Sequence, residues 1–321
     1  MTAASYPDVL VWGACGFIGR HLVSDLVQRG TRVSVLTRGR SGYPPRWWSD
    51  RVQWFELTGS SADAGIMQAA VEQARVIFNF AGSTGTTDSN RDPLGSLDAN
   101  NRPQLQLLEA CRAAGVHPHV VFTSSRLVYG RPLSDRVDEQ HPINPASMYA
   151  AHKACCEHYH RIYASRGVLT ATVLRISNAF GADPEAGPRH HGMINAFVQA
   201  ARAGRPIELF GEGRQLRDFI YIADLVDVLL TCGRHPSAVN ETFNIGAGVG
   251  TSLREAAEQV VAQIGGPPVR IAPWPPEYSV VETGDYVTDV TKARNLIGLD
   301  LKWSFERGLT DMIEEYGRHI P

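Results

Sequence analysis

The sequence lacks the features that mark a membrane protein, a secreted protein or a nucleic-acid-binding protein. No apolar stretch among its 321 residues approaches the roughly 18 residues of a membrane span, and Met1 to Pro7 contain no basic segment followed by an apolar one. The net charge is only −2, and no basic run is interleaved with aromatic residues, which argues against nucleic acid or an acidic membrane surface as partner. We therefore expect a cytoplasmic protein that acts on a small molecule.

Cysteine is scarce and scattered. The five cysteines are Cys15, Cys111, Cys155, Cys156 and Cys232, an odd number without C-x-x-C spacing. This pattern argues against a disulfide framework and against a structural zinc site. Since the histidine pairs of the chain are not accompanied by a carboxylate cluster either, the sequence predicts no metal site.

A glycine-rich turn stands near the start of the chain. Gly13, Gly16 and Gly19 follow the apolar run Asp8–Trp12 and precede a segment, 20–27, with the pattern of a helix. In dinucleotide-binding turns the first glycine permits the turn, the second lets the backbone approach a pyrophosphate, and the third lets helix and strand pack closely. The helix N-terminus then faces the phosphate charge. We therefore predict a nicotinamide dinucleotide site.

A second motif, Tyr149-Ala150-Ala151-His152-Lys153, indicates redox chemistry. A tyrosine and a lysine four residues apart on a helix lie on one face, so the ammonium favours the ionised phenol. Free tyrosine ionises near ~10, and a base that takes an alcohol proton near neutrality needs a pKa lowered by positive charge, here that of Lys153 and of an oxidised nicotinamide. Ser125 ends an apolar strand and is expected to hold the reacting hydroxyl. The predicted catalytic set is thus Ser125, Tyr149 and Lys153.

Strand and helix patterns alternate through the first half of the chain, which predicts a Rossmann-type α/β fold with a doubly wound parallel sheet. The predicted strands are 8–12, 32–36, 52–57, 76–80, 119–123 and 169–176, and the predicted helices include 62–73, 96–114 and 147–165. After Asn178 the pattern changes. We predict an NAD(P)-binding domain over 1–177 and a smaller substrate-binding lobe over 178–321, some elements of which return to the first domain.

Several motifs, taken in order, resemble the extended short-chain dehydrogenases that act on nucleotide-sugars. They are G-A-C-G-F-I-G, S-S-R-L-V-Y-G, Y-A-A-H-K, R-I-S-N-A-F-G, G-E-G-R-Q-L-R-D-F-I-Y and F-N-I-G, and together they cover almost the whole chain. The resemblance implies that a bound nicotinamide oxidises carbon 4 of the sugar. It also implies NAD as cofactor, a UDP-sugar as substrate and a homodimer.

The resemblance assigns further residues. Asn100 matches a structural asparagine near the nicotinamide end. Asn178 and Arg217 match residues that bind the diphosphate of the sugar nucleotide, and Phe210 lies where the family lines the base pocket. The implied cofactor-binding set is Gly13, Gly16, Phe17, Ile18, Gly19, Arg38, Glu56, Leu57, Ala81, Tyr149 and Lys153.

The loop after the second strand departs from the pattern of NAD enzymes. An acidic residue there would accept both ribose hydroxyls of NAD, but the sequence is Thr37-Arg38-Gly39-Arg40. Read alone, Arg38 and Arg40 favour the phosphate of NADP, because a guanidinium binds phosphate through two hydrogen bonds. NAD is the cofactor that the resemblance implies, and NADP is the alternative.

Two further departures concern the chemistry. Family 4,6-dehydratases carry an Asp-Glu pair before V-Y-G, where this chain has Arg126 and Leu127, so ordinary 4,6-dehydration is not expected. The family motif R-P-G-D is replaced by Glu282-Thr283-Gly284-Asp285.

Three functions stay open at this stage. The ensemble of motifs resembles the 5,6-dehydratases that act on UDP-N-acetylglucosamine in tunicamycin biosynthesis, which implies an NAD-dependent lyase that forms an exocyclic alkene in antibiotic biosynthesis. The alternative is a UDP-hexose or UDP-hexosamine 4-epimerase. A non-catalytic NAD(P) sensor is a third class, but it would not need the intact Tyr149 and Lys153.

Overall fold

The computed structural model describes residues 8–38, 48, 51–183 and 192–318. Its residues form two compact units, each assembled from segments that are separated in sequence. The first unit takes its residues from 1–125, 147–175 and 226–243, and the second from 126–146, 176–225 and 244–321. The domain boundary between residues 177 and 178 remains a prediction.

The strands alternate with helices along most of the chain. The strands are β1 (Val9–Trp12), β2 (Val33–Thr37), β3 (Val52–Glu56), β4 (Val76–Asn79), β5 (His119–Ser125), β6 (Thr170–Ile176), β7 (Asn178–Phe180), β8 (Glu208–Phe210), β9 (Leu216–Tyr221), β10 (Thr242–Ile245), β11 (Gly250–Ser252) and β12 (Arg270–Ala272). The helices are α1 (Phe17–Gln28), α2 (Asp63–Glu72), α3 (Thr86–Arg91), α4 (Pro93–Asn100), α5 (Arg102–Ala114), α6 (Met148–Ser165), α7 (Met193–Arg202), α8 (Ile222–Cys232), α9 (Leu253–Ile264), α10 (Pro276–Ser279), α11 (Thr291–Ile297) and α12 (Phe305–Arg318).

The main sheet is parallel and has seven strands in the order β3-β2-β1-β4-β5-β6-β10. The strand order reverses beside β1, as in dinucleotide-binding folds. All four residues of β1 are buried, because helices cover both faces of a parallel sheet. The prediction of a Rossmann-type fold is therefore confirmed.

The prediction of one continuous helix over 96–114 is wrong. The structure divides this region into α4 and α5, with Asn101 between them. Pro103 lies in the first turn of α5, where its missing N–H and fixed φ suit a helix start but not a helix interior. Of the apolar residues that suggested one helix, Leu108 and Cys111 are buried, whereas Leu97 and Leu105 are exposed.

The second unit contains two small sheets, β11-β9-β7 and β12-β8. An aromatic cluster of Phe180, Phe219 and Phe305 fills its core, with ring centroids 5.2 to 6.3 Å apart. Gly308 lets α12 pack against these rings, since a Cβ there would lie 2.7 Å from the ring of Tyr221. The second unit therefore has a core of its own.

His160 on α6 is a buried neutral imidazole in the first unit. Its Nδ1 donates to the carbonyl of Cys156 at 2.9 Å, and its ring stacks on Phe122 with the centroids 4.4 Å apart. Burial lowers the pKa of His160 to about 4, because a charged imidazole would lose its hydration there.

We predict that His160 contributes to acid sensitivity. Its folded pKa lies below the ordinary value of ~6.5, so the unfolded chain takes up a proton that the folded chain refuses. The stabilising contribution is therefore complete above about pH 6.5 and is lost as the pH falls towards about 4, by roughly 3 kcal/mol in total. Urea unfolding of the wild type and His160→Phe near neutrality and near pH ~4.5 should show a smaller acid loss in the variant. Equal losses would contradict the prediction.

Candidate active site

The glycine-rich turn joins β1 to α1 in a conformation that needs glycine. Gly13 has φ of 84°, and a Cβ there would lie 2.9 Å from the carbonyl carbon of Phe80. At Gly19 a Cβ would lie 2.3 Å from the carbonyl oxygen of Gly13. Both contacts are with backbone, which cannot move aside as a flexible side chain can. The first and third glycines therefore have the packing roles predicted for them.

The N-terminus of α1 is open to an anion. Gly16 is its N-cap residue and provides no side-chain cap, and no acidic residue lies in the first turn. The first N–H groups of a helix have no partner within the helix, so the N-terminus of α1 suits a phosphate. The glycine turn and the N-terminus of α1 together fit the pyrophosphate of a dinucleotide.

The predicted adenosine contacts lie at the ends of neighbouring strands. Arg38 is exposed directly after β2, and Glu56 is exposed at the end of β3, with which β2 pairs. Leu57 is buried, and its N–H donates to the carbonyl of Thr37 at 2.8 Å. Arg40, the other residue of the NADP argument, lies outside the described residues. These cofactor contacts remain predictions.

Ala81 follows β4 and is fixed by a buried amide network. Its N–H donates to Asn79 Oδ1 at 3.2 Å, and its carbonyl accepts from Gln104 Nε2 at 3.1 Å. Asn79 in turn donates to Gln104 Oε1 at 2.6 Å. Because a Cβ on Gly13 would lie 3.1 Å from the backbone nitrogen of Ala81, this network shapes one wall of the glycine turn.

Ser125 and Tyr149, which are separated in sequence, meet in the structure. Ser125 ends β5, and α6 begins at Met148 after the N-cap Ser147, whose hydroxyl accepts from the N–H of Ala150 at 3.3 Å. The side chains of Tyr149 and Ser125 are hydrogen-bonded to each other. The structure thus brings together the two hydroxyls that we predicted to act on one alcohol.

Lys153 points back to the strand that carries Ser125. Its Nζ donates to the carbonyl of Thr123 at 2.8 Å and lies 6.0 Å from the ring centroid of Tyr149. Burial lowers the pKa of Lys153 to about 8, while the nearby Cys156 and Glu157 act in the opposite direction. The three predicted catalytic residues therefore occupy one region of the first unit.

The expected acidification of Tyr149 is not produced by the groups of the protein itself. Burial raises the pKa of Tyr149 to about 12, and the hydrogen bond with Ser125 only partly opposes this. The lower pKa expected with both Lys153 and an oxidised nicotinamide in place remains a prediction.

Asn100 has the structural role that we predicted for it. Its Oδ1 accepts from the N–H of Ser83 at 3.1 Å, and its Nδ2 donates to Ser83 Oγ and to the carbonyl of Ser96, each at 3.0 Å. A Cβ at Gly82 would lie 2.5 Å from Asn100 Oδ1 and 3.9 Å from Lys153 Nζ. Asn100 therefore orders the segment beside Lys153.

Glu157 has a structural role, as a buried ion-pair partner, that the sequence did not predict. This fully buried carboxylate accepts from Ser124 Oγ at 2.5 Å. It also accepts from Arg175 Nη2 at 2.7 Å and Nε at 3.0 Å, while Arg161 on the same helix lies 3.3 Å away. Its spacing of four residues after Lys153 was the available signal, since such pairs share a helix face. Glu157 thus fixes the serine that precedes Ser125.

We predict that Glu157→Gln lowers the free energy of unfolding by about 3–5 kcal/mol, because it leaves the Arg175 guanidinium buried without its countercharge. The double variant Glu157→Gln/Arg175→Met removes both charges and should recover part of this loss. Urea denaturation measures both effects.

The matched control is the exposed ion pair of Asp98 and Arg102, which are 2.8 Å apart. Asp98→Asn should cost less than about 1 kcal/mol, as expected of a solvated pair. A comparably small cost for Glu157→Gln would show that its ion pair does not hold the first unit together.

The predicted substrate residues lie in the second unit. Arg217 is 3% exposed, and its Nη2 donates to both carboxylate oxygens of Glu282 at 2.6 and 2.7 Å. Among the described residues its buried Nε has no hydrogen-bond partner. Asn178 donates to the carbonyl of Asp218 at 2.9 Å, and Phe210 stacks near Trp274 with centroids 5.6 Å apart. Their roles in binding substrate remain predictions.

Arg126 begins a 3-10 turn, Arg126–Tyr129, in the second unit. Its Nη1 donates to Thr283 Oγ1 at 3.1 Å, and its guanidinium lies 4.9 Å from the ring centroid of Tyr286. Burial, followed by the charge of Arg217, lowers the pKa of Arg126 to about 10. Arg126 is therefore a cation near neutrality and not a proton donor of useful strength.

Two kinds of feature are absent from the part of the chain that the structure describes. No cluster of three or more histidine, cysteine, aspartate or glutamate side chains could bind a metal ion there. Within the same residues, no helix combines the length and apolar character needed to cross a bilayer.

Comparison with known proteins gives consistent matches over the whole chain. The model of the NAD dependent epimerase/dehydratase family matches residues 9–246. UDP-glucose 4-epimerase of Mycolicibacterium smegmatis is 32% identical over 95% of this chain and 97% of its own length.

Two solved structures are also similar over nearly the whole chain. UDP-glucose 4-epimerase of Thermotoga maritima with UDP-glucose is 28% identical, with a TM-score of 0.85 over 97% of this chain and 98% of that chain. MoeE5 in complex with UDP-glucuronic acid and NAD is 28% identical, with a TM-score of 0.84 over 98% of this chain and 100% of that chain. The resemblance to nucleotide-sugar enzymes that depend on NAD is therefore confirmed.

Proposed function

We propose that this chain, which belongs to the NAD-dependent epimerase/dehydratase family, is a UDP-sugar 4-epimerase that oxidises carbon 4 only transiently. The similarity to UDP-glucose 4-epimerases over 95% of the chain supports this function over the 5,6-dehydratase that the motifs favoured. The specific 5,6-dehydration of UDP-N-acetylglucosamine has no comparable support, and neither does the homodimer, which stays a prediction.

One observation favours epimerisation over dehydration. Elimination of water needs an acid for the leaving hydroxyl and a base for the neighbouring proton. Ser125 is followed by Arg126, a buried guanidinium with a pKa of about 10, and by the apolar Leu127. Arg126 and Leu127 therefore do not provide an acid and a base next to Ser125. This suits epimerisation, in which only a hydride and a hydroxyl proton move.

We derive the mechanism from residues of the first unit. Ser125 would hold the carbon 4 hydroxyl, and the Tyr149 oxygen would take its proton as the alcohol is oxidised. Lys153 would hold the nicotinamide ribose and provide positive charge, and NAD, when bound, would supply the hydride acceptor and a second positive charge. Because burial raises the pKa of the Tyr149 phenol, both charges are needed to make it a base. The 4-keto sugar would then receive the hydride on its opposite face, and Tyr149 would return the proton to the epimeric alkoxide.

The nucleotide half of the substrate is assigned to the second unit. We assign the diphosphate to Asn178 and to the free Nε of Arg217, and the base to the aromatic neighbourhood of Phe210. The ion pair between Arg217 and Glu282 leaves less positive charge for the diphosphate than a free arginine would offer. The UDP is therefore held by hydrogen bonds and stacking as much as by charge.

We predict that UDP-glucose, UDP-glucuronic acid or UDP-N-acetylglucosamine is converted into its 4-epimer without change of mass. Mass spectrometry and proton NMR of the product measure this. A product lighter than the substrate by one water would instead support a dehydratase. No conversion of any of the three would favour a sensor and contradict the proposal.

Tyr149→Phe should lower turnover by a factor of about 10²–10⁴, the usual contribution of a general base, and should leave NAD bound. Lys153→Ala is the informative companion, because it should lower both turnover and NAD retention. Steady-state rates and the cofactor released on denaturation measure the two effects. A Tyr149→Phe enzyme with near-normal turnover would remove Tyr149 from the mechanism.

Substrate with deuterium at carbon 4 tests the transient oxidation. The hydride leaves carbon 4 and returns to it without meeting solvent, so the 4-epimer should retain the label. NMR of the product locates the deuterium. Label at carbon 6 of a dehydrated product would indicate 4,6-dehydration, and label washed out into water would contradict hydride return.

A further inference from the structure

The segment 282–284 contacts two arginines of the second unit. Glu282 accepts from Arg217 Nη2 through both carboxylate oxygens, at 2.6 and 2.7 Å, and the carbonyl of Gly284 accepts from Arg217 Nη1 at 2.8 Å. The hydroxyl of Thr283, the residue between them, accepts from Arg126 Nη1 at 3.1 Å. Because consecutive Cα atoms are only about 3.8 Å apart, this short segment holds the two guanidinium groups close to each other.

Only one of these two guanidinium groups has a carboxylate in direct contact. Glu282 contacts Arg217, whereas Arg126 makes no ion pair among the described residues. Asp218, the other acid nearby, is fully buried, and its oxygens accept from three backbone N–H groups. Burial, followed by the charge of Arg217, lowers the pKa of Arg126 to about 10, and the two acids partly oppose this through space. Arg126 is therefore charged near neutrality without a countercharge in contact.

Both arginines keep N–H donors that have no acceptor. Arg217 is 3% exposed, and its buried Nε has no hydrogen-bond partner among the described residues. Arg126 is 7% exposed and donates a hydrogen bond from Nη1 alone, so that Nε and Nη2 remain. Donors of a buried charged group that lack an acceptor destabilise the folded protein. The pair of arginines therefore suits a ligand that is rich in anionic oxygen atoms.

We propose that Arg126 is the second guanidinium of the diphosphate site, so that Arg126 and Arg217 bind the diphosphate of the sugar nucleotide together. The inference rests on the proposed function, which assigns the diphosphate to Arg217 and Asn178. Asn178 on β7 donates to the carbonyl of Asp218, the residue that follows Arg217 on β9, and so lies beside the same site. All these residues belong to the second unit.

A diphosphate matches these donors better than the base or the ribose of UDP. A guanidinium binds phosphate oxygens through two parallel, charge-assisted hydrogen bonds. The base and the ribose are neutral and would leave Arg126 without a countercharge. The ion pair with Glu282 lessens the positive charge that Arg217 offers to an anion, and Arg126 supplies charge to the same site. Arg126 is thus a binding residue for the nucleotide.

The test compares UDP with uridine, which differ only in the diphosphate. Calorimetric titration of the protein with its bound cofactor should show that Arg126→Met weakens binding of UDP by about 10- to 100-fold, the value of hydrogen bonds to a charged group. Binding of uridine should change by less than about 3-fold, since uridine has no phosphate for Arg126. Equal losses for both ligands, or an unchanged affinity for UDP, would overturn the inference.

The matched control removes a positive charge elsewhere in the second unit. Arg318 on α12 forms an exposed ion pair with Glu314, at 3.2 Å. Arg318→Met should therefore leave the affinity for UDP unchanged. A loss as large as that of Arg126→Met would show a general effect of net charge and would overturn the inference.

Two further measurements separate a binding role from a structural one. Without ligand, Arg126→Met should unfold at the same temperature as the wild type or higher, because a buried charge without a contacting countercharge has been removed. A large drop would show that Thr283 and Tyr286 use Arg126 as a structural cation, and it would overturn the inference. Arg126→Lys keeps the charge but loses the planar fork, so it should bind UDP with intermediate affinity. If Arg126→Met does not fold, Arg126→Lys makes the same comparison, and equal losses for UDP and uridine overturn the inference.

Failure of this inference can be told from failure of the proposed function. Loss of UDP binding in Arg126→Met, without epimerisation of any UDP-sugar by the wild type, would contradict the function and leave the two-arginine site standing. In an active epimerase, Arg126→Met should raise KM for UDP-glucose by about 10- to 100-fold and change kcat far less, because the diphosphate is bound alike in the ground state and the transition state. Epimerisation with an unchanged KM in that variant would support the function and reject the two-arginine site.

Discussion

The organisation of the first unit depends on the buried carboxylate of Glu157. It joins three elements, since it lies on α6 and accepts hydrogen bonds from Ser124 on β5 and from Arg175 on β6. A buried carboxylate needs all its partners, because each missing hydrogen bond leaves charge unsatisfied in a region of low dielectric. The same helix carries Tyr149 and Lys153, and the same strand carries Ser125. One interaction therefore sets the alignment of the three redox residues.

Burial acts on the two titrating members of that set in opposite directions. It raises the pKa of Tyr149 to about 12 and lowers the pKa of Lys153 to about 8, so in both cases it favours the neutral form. The protein by itself thus favours the protonated phenol of Tyr149. In the proposed mechanism, the positive charge of the oxidised cofactor would change this balance and would couple proton removal to the presence of the hydride acceptor.

The two buried arginines of the second unit, Arg217 and Arg126, have different kinds of partner. Arg217 is paired with Glu282, which stands where related enzymes carry an arginine, whereas Arg126 has only the hydroxyl of Thr283 and the ring of Tyr286. Glu282 and Thr283 are consecutive residues. One short segment therefore neutralises one guanidinium and only orients the other. This asymmetry leaves Arg126 without a direct ion pair and Arg217 with a single free donor, Nε.

The sequence alone determined the fold class and the glycine turn, because backbone geometry constrains these locally, and it brought Ser125, Tyr149 and Lys153 forward as the predicted catalytic set. Gly13 and Gly19 are required by close backbone contacts, and the alternation of strand and helix admits few other arrangements. Only the tertiary structure showed the role of Glu157, since its partners lie on other elements, and only it showed that burial raises the pKa of Tyr149. Burial is not visible in helix spacing. The unpaired state of Arg126 was hidden for the same reason, because it depends on which carboxylates the folded chain has already engaged.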